Sequence, residues 1–396
     1  MCDQIGRNKP SVELADIFLR YADGYIEQHG VSAPQNKAIK AISRCNHCSA
    51  EEIAYNSCRY RHCPKCQTTK QLRWLENRKA ELLPVEYFHV VFTIPHELNG
   101  IASYNPSLLY NLLFKAAWSA IYTLGQDKKR LGGLMGMLAF LHTWGQNLSQ
   151  HIHLHCMVPG GALCDINGQK EWRDSKPGFL FPVKVISKLF GKTFLKLLQQ
   201  AYKNNEITFK GAITELAEQE KFKQLMALLS NKSWNVYAKT PFNGSEGGLE
   251  YLARYVSKTA IGNERLISHD NQEVTFKWRD YSDENQSKRM TLNAYEFIRR
   301  YLTHVLPDGF MRIRTFGFLA NACKTKNINL ILPLLNHSEE EDCEKQEDKK
   351  KESIAELMKR ITGVDIDQCK HCKIGRLVII KSILSFKQSL AYLDTS

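Results

Sequence analysis

Five consecutive residues constrain this chain more than any other stretch: His151-Ile152-His153-Leu154-His155. Strict polar/apolar alternation is the period of a β-strand, so the three imidazoles share one face and Ile152 and Leu154 the other. A helix would turn His153 away from its two neighbours. The strand therefore belongs in a sheet whose one face is covered by apolar side chains and whose other face gathers histidines. Same-face neighbours stand about 6.6 Å apart at the backbone, near enough for two adjacent imidazoles to chelate one divalent ion. The outermost pair is too far apart for easy sharing.

A further ligand is expected from the preceding segment. MGMLAFLHTW reads as a second strand and GQNLSQ as a turn. A hairpin centred on the Asn147/Leu148 boundary sets His142 opposite His153. One residue of slip would turn His142 to the other face and leave Gln146 or His151 as the alternative. Upstream, YFHVVFTIP is a strand stopped by Pro95, followed by a helical run from Pro106 to Leu124. Further helices are expected at 11–29, 67–83, 183–203, 213–230 and 249–258, with FNGSEGG at 242–248 a loop and the charge-dense 338–352 a solvated linker. Strand, helix, strand, strand in this order predicts an α+β fold with an antiparallel sheet and packed helices.

The chain of 396 residues carries 54 basic against 41 acidic side chains, a formal charge of +13, which favours a polyanionic partner. The first thirty residues include Asp3, Glu13, Asp16 and Asp23 and lack the basic-apolar-small pattern of a secretory signal. The longest apolar stretch, Leu134 to Leu141, is about half a membrane span. A soluble, cytoplasmic protein is expected. Its twelve cysteines would stay reduced there, so close C-x-x-C pairs point to metal before disulfides.

Cys45-x-x-Cys48 and Cys63-x-x-Cys66 form two knuckles separated by 14 residues, a spacing that suits one tetrahedral Zn²⁺. Cys58 and His62 lie between them and could replace a ligand or join a second ion. Arg59, Arg61, Lys65 and Arg73, with Arg44, Tyr60 and Lys70, supply basic and aromatic surface for phosphates and bases. Near the C-terminus Cys369-x-x-Cys372 is half of such a site, with Cys323 and Cys343 as conceivable completions.

Tyr251 and Tyr255, in GGLEYLARYVSK, project from one face of a helix, with Lys258 close to it. Two aromatics at this spacing usually pack a core; a metal-binding strand in the same chain changes that weighting. A phenol can attack a phosphodiester to give a phosphotyrosine and a free 3′-hydroxyl. Its ordinary pKa near 10 calls for help, from a divalent ion on the phosphate and from Lys258 against developing charge.

A His-hydrophobic-His strand followed about a hundred residues later by a helical Tyr-x-x-x-Tyr resembles the HUH superfamily of single-strand nucleases. More closely, the chain resembles the two-tyrosine rolling-circle transposases of the insertion sequence ninety-one family, through CRYRHCPKCQ, HVVFTIPHEL, HTWGQNLSQHIHLHCMVPGGAL, YLARYVSK and LPDGFMRIRTFGFLAN. The resemblance covers nearly the whole chain. It implies an HUH-type, ferredoxin-like antiparallel sheet over about 84–335, after an N-terminal helix and zinc-binding module over 1–83 and before a charged C-terminal segment over 336–396. It also implies cleavage and joining of single-stranded DNA at mobile-element ends and target sites with Mg²⁺ or Mn²⁺, in bacterial cytoplasm and on the nucleoid. By motif position His153 and His155 take the metal-ligand role and Tyr251 and Tyr255 the nucleophile role, while the zinc module reads the element's ends. With no Walker-type loop in the chain, unwinding falls to host helicase or replication proteins or to DNA topology. A plasmid replication initiator or relaxase would share this chemistry; a non-catalytic zinc-dependent DNA-binding protein would use the histidines structurally and the tyrosines as core.

Overall fold

The computed structural model describes residues 12–29, 40–49, 51–54, 78, 81–239, 259–281, 283–335, 367–369 and 371–383, with isolated positions at 356, 359 and 365. The histidine strand is where the sequence reading puts it. It lies at the centre of a five-stranded antiparallel sheet. Numbered in chain order, β1 is Lys40–Cys45, β2 Glu51–Ala54, β3 Tyr87–Thr93, β4 Gly136–Trp144, β5 Gln150–Pro159, β6 Gly161–Ile166, β7 Gln169–Asp174, β8 Val236–Lys239, β9 Leu266–Asp270, β10 Glu273–Asp280, β11 Gln286–Asn293, β12 Ile313–Gly317 and β13 Leu377–Ile383. The central sheet runs β12-β4-β5-β3-β8.

One face of that sheet is closed by apolar packing. Val90 and Phe92 of β3, Ala139 and Leu141 of β4 and Ile152 and Leu154 of β5 share a core with Leu113 and Ala117 of the helix Pro106–Gln126 and Phe190 and Phe194 of the helix Val183–Lys203. Burying a side chain of this size contributes roughly 1.5–3 kcal/mol, which holds the alternate residues, the histidines, on the opposite face. The expected helix at 213–230 is a 3₁₀ turn, Gly211–Ala217, and an α-helix, Gln219–Ser230, because Glu218 between them is extended.

The β4–β5 connection is a tight turn carrying Leu148 in the left-handed region, φ 61°. A branched residue resists that conformation. Here its buried side chain plugs into a second core, made by the meander β9-β10-β11, the N-terminal helix Leu14–His29 and the helix Ala294–Thr303. Ile17, Val274, Phe276, Phe297 and Ile298 are fully buried in it. The turn thus joins the central sheet to the meander. By contrast, the hairpin β6–β7 turns at Asn167-Gly168, both at positive φ, as a two-residue hairpin loop requires.

A further sheet, β13-β1-β2, brings early and late parts of the sequence together: Cys45 pairs with Leu377, Ile42 with Lys381, and Ala41 with Ala54. Among the described residues no helix is long and apolar enough to cross a membrane.

Candidate metal centre and DNA cleft

The register between β4 and β5 places His142 opposite His153, and that between β3 and β5 places Val91 opposite His155. A bulge follows between His142 and Trp144, whose rings stack at 4.7 Å. One nitrogen from each of His142, His153 and His155 lies within 4.8 Å of the others, and all three side chains are largely buried. His151 stands at the exposed end of the strand and contributes its backbone carbonyl, which accepts from His153 Nδ1 at 2.8 Å.

That bond fixes a tautomer. A carbonyl only accepts, so the His153 proton sits on Nδ1 and its Nε2 lone pair points into the cluster. Burial, reinforced by neighbouring His151, pushes the His153 pKa down to about 3, so the ring is neutral at pH 7. Its Nε2 faces His155 Nε2 at 3.1 Å. Either one proton or one cation lies between two such atoms.

Behind His155 stands His89, a residue the sequence analysis did not single out. It is buried on β3, stacked on His155 with centroids 5.1 Å apart, and its Nε2 lies 2.9 Å from His155 Nδ1. Burial, with the charge of Lys239, pushes its pKa down to about 4. A neutral His89 can therefore accept a hydrogen bond from His155 Nδ1–H at its Nε2, the tautomer that leaves His155 Nε2 as a second lone pair on the cluster.

The three rings form the floor of a cleft of about 750 Å³. The β4–β5 turn makes one wall, Thr259, Ala260, Gly262 and Glu264 another, and Trp278, Arg279, Asp280 and Tyr281 of the meander the roof. Arg265 pins these parts together: its guanidinium donates to the carbonyls of Gln146 in the turn, Lys277 on β10 (2.8 Å) and Ala260 (3.4 Å). Gln146 donates in turn to Tyr281 Oη at 3.1 Å. Lys288 bridges Asp280 and Asp283, both at 2.8 Å, which offsets acidic charge beside the opening. Trp144, Trp278 and Tyr281 offer rings on which bases can stack.

Tyr251, Tyr255 and Lys258 lie outside the described residues, as do Cys58, Cys63, Cys66, Arg59, Arg61, Lys65 and Arg73, the expected loop 242–248, helix 249–258 and linker 338–352, and most of the expected helix at 67–83, whose described end at 81–83 is not helical. Cys45 is described by its backbone alone. Cys48 has sulfur neighbours from the far end of the chain: Cys48, Cys369 and Cys372 lie within 4.8 Å of one another, a donor set suited to Zn²⁺. Cys323 is elsewhere, its thiol on the carbonyls of Gly317 and Ala320. Basic residues near β12 are engaged internally: Arg314 lies over the Phe114 ring at 4.3 Å and donates to Asn111, and Lys324 pairs with Glu81.

Comparison with known proteins bears on this arrangement. A family model described as "Putative transposase" matches residues 136–327, from β4 through β12 to the start of the helix Lys324–Leu335. A "Transposase zinc-binding domain" model matches residues 17–94. The chain is 41% identical over 382 residues to "Putative transposase y4qJ" of Sinorhizobium fredii, covering 93% of this chain and 95% of that protein. It is 25% identical over 283 residues to the "Transposase for insertion sequence element IS801" of Pseudomonas savastanoi pv. phaseolicola, covering 70% of this chain and 65% of that one. What these matches and the mixed helix and antiparallel-sheet fold define is a transposase, an enzyme acting on DNA. The chain belongs to the insertion sequence ninety-one family of transposases and has that family's N-terminal zinc-binding domain.

Proposed function

We propose that this transposase cleaves and rejoins single-stranded DNA at mobile-element ends through a covalent 5′-phosphotyrosine, with Tyr251 and Tyr255 as nucleophiles. In the first step the phenolic oxygen attacks the scissile phosphorus and the P–O3′ bond breaks. The 3′ oxygen leaves, takes up a proton, and the 5′ phosphate stays on tyrosine. A 3′-hydroxyl then attacks that phosphotyrosine, which restores the phenol and joins the strands. No water is consumed, so each bond broken is conserved for the next. Two tyrosines allow two transfers in succession, and Lys258 offsets charge on the phosphate as it develops.

The observation that carries this reading is the position of the histidine floor: it lies in a cleft whose wall includes Thr259, the residue directly after Lys258. Tyr255 is four residues from Thr259, a chain distance of at most about 14 Å. His142, His153 and His155 would hold Mg²⁺ or Mn²⁺. The His153 and His155 Nε2 atoms, 3.1 Å apart, are close enough for both to bind one ion. A divalent ion there supplies Lewis-acid polarisation of the scissile phosphate. The protein's own share is to keep both rings neutral with Nε2 aimed inward and to align the strand under the Arg265-pinned roof. The zinc-binding domain, with Arg59, Arg61, Lys65 and Arg73, would hold the element ends, and host helicase or replication proteins would supply the single strand.

Incubating full-length protein with single-stranded oligonucleotides and Mn²⁺ tests the proposal. A protein–DNA adduct that survives denaturation is expected, absent with EDTA and absent in the His153→Ala/His155→Ala variant. No adduct on any end or hairpin sequence would remove the catalytic reading and leave a DNA-binding role.

A further inference from the structure

We propose that the chain carries a zinc site assembled from its two ends: Cys45 and Cys48 from the first knuckle, and Cys369 and Cys372 from the last. The inference goes beyond the strand-transfer reading and does not depend on it. It also pairs Cys45-x-x-Cys48 with the C-terminal knuckle instead of with Cys63-x-x-Cys66, the partner that spacing alone suggests.

The sulfur geometry is the starting point. Cys48 Sγ and Cys369 Sγ are 3.7 Å apart. A disulfide requires about 2.05 Å, whereas four thiolates at about 2.3 Å from one tetrahedral Zn²⁺ stand about 3.8 Å from each other. Cys372 completes a triangle in which the three sulfurs lie within 4.8 Å.

The backbone of both knuckles repeats the same device. The residue after the second cysteine is left-handed in each: Ser49 at φ 58° and Lys373 at φ 56°. Neither is glycine, so each left-handed turn carries strain that a bound ion would offset. The C-terminal turn is closed by Lys373 N–H on the Cys369 carbonyl at 2.9 Å and by Cys369 N–H on the Gly375 carbonyl at 2.8 Å. Gly375 N–H points at Cys372 Sγ, 3.3 Å away, a donor that favours the thiolate form a metal requires.

The ladder between the ends brings the Cys45 backbone beside the C-terminal strand. Cys45 is the last residue of β1, and its backbone pairs with Leu377, the first residue of β13. Beside it Asn46 clasps Arg376 twice: its N–H donates to the Arg376 carbonyl at 3.0 Å, and its Oδ1 accepts from Arg376 N–H at 2.8 Å. The two knuckles therefore emerge from the same end of the β1–β13 ladder. Cys369 and Cys372 lie beyond both matched family segments, 136–327 and 17–94, so neither segment alone contains this site. With zinc bound, β13 becomes a permanent edge of the N-terminal module's sheet, and the last part of the chain becomes part of the module that meets DNA.

The test counts zinc in full-length protein by elemental mass spectrometry. Cys369→Ser/Cys372→Ser and Cys45→Ser/Cys48→Ser should each lose the same single equivalent, and their combination no more than that one. Cys63→Ser/Cys66→Ser should keep that equivalent, and Cys372→His should keep the zinc that the serine variant loses. Wild-type zinc content in Cys369→Ser/Cys372→Ser would overturn the proposal. Should the serine variants fail to fold, alkylation of wild-type protein during chelator titration gives the same answer. Cys45, Cys48, Cys369 and Cys372 should become reactive in one step; alkylation of Cys369 and Cys372 while Cys45 and Cys48 remain protected would refute it.

Discussion

Replacing His89 with phenylalanine would keep a flat ring stacked 5.1 Å from His155 while removing the acceptor for its Nδ1 proton, 2.9 Å away. The loss is that of a hydrogen bond inside the sheet, where His89 is only 5% exposed. A bond of this kind contributes roughly 0.5–1.5 kcal/mol, and a buried donor deprived of its acceptor costs about 1–3 kcal/mol. Through the metal centre the same loss also acts on metal affinity. Without His89 the His155 proton can move to Nε2, the atom that must face the ion, so metal must first displace it. Partners behind a ligating histidine typically carry a 10–100-fold effect, about 1.4–2.7 kcal/mol. Mn²⁺ titration of metal-free protein by calorimetry is the assay. His89→Phe should weaken Mn²⁺ binding about 10–100-fold and lower the melting temperature of metal-free protein by a few degrees, from about 1–3 kcal/mol, and His89→Gln, which keeps an acceptor, should recover part of both. Unchanged Mn²⁺ affinity in His89→Phe, beside lost binding in His155→Ala, would refute the reasoning and reduce His89 to packing.

Arg265→Leu removes the guanidinium that ties the turn, β10 and Ala260 together; adduct formation should fall at least about tenfold with a stability loss of roughly 2–3 kcal/mol, and an unchanged adduct rate in a folded variant would count against the pinned roof. Burial pushes the His304 pKa down to about 4 from 6.5, while its ring bonds Thr143 and the Leu148 carbonyl. The folded state then binds fewer protons than the unfolded one, so this contribution is complete above pH 6.5 and lost as pH falls toward 4. Denaturant melts at pH 7.5 and 5 should show His304→Gln losing about 2 kcal/mol less than wild type over that interval; equal losses would contradict it. Gly317→Ala places a methyl group 1.8 Å from the Met135 carbonyl at a φ of +63°, so β12 must shift. A melting temperature lower by several degrees, from about 2–4 kcal/mol of lost stability, is expected.

The histidine floor was largely legible because its signal is local. Period-two alternation fixes the face of His153 and His155, and a short turn fixes the register that brings His142 across, the pairing observed. His89 was not legible for the same physical reason. A lone histidine in YFHVVFT has no periodic partner, and its place beside His155 depends on a β3–β5 register set by residues some sixty positions apart. The roof also escaped. Residues 266–293 contain no glycine or proline to mark turns, and the β9–β10 turn adopts left-handed Asn271 and Gln272 instead. Partnership across 321 residues, as between Cys48 and Cys369, leaves no local pattern at all. By spacing, Cys45-x-x-Cys48 is completed by Cys63-x-x-Cys66, and only Cys369-x-x-Cys372 looks like half a site.

In the proposed strand transfer a tyrosine of YLARYVSK becomes bonded to the 5′ end of cut DNA. The most direct measurement is mass spectrometry of the protease-digested adduct formed with Mn²⁺ and a single-stranded end. The account predicts a nucleotide on Tyr251 or Tyr255, shifting to the other when one is replaced by phenylalanine and vanishing in Tyr251→Phe/Tyr255→Phe. A nucleotide on any other residue, or an adduct that persists in that double variant, would contradict it.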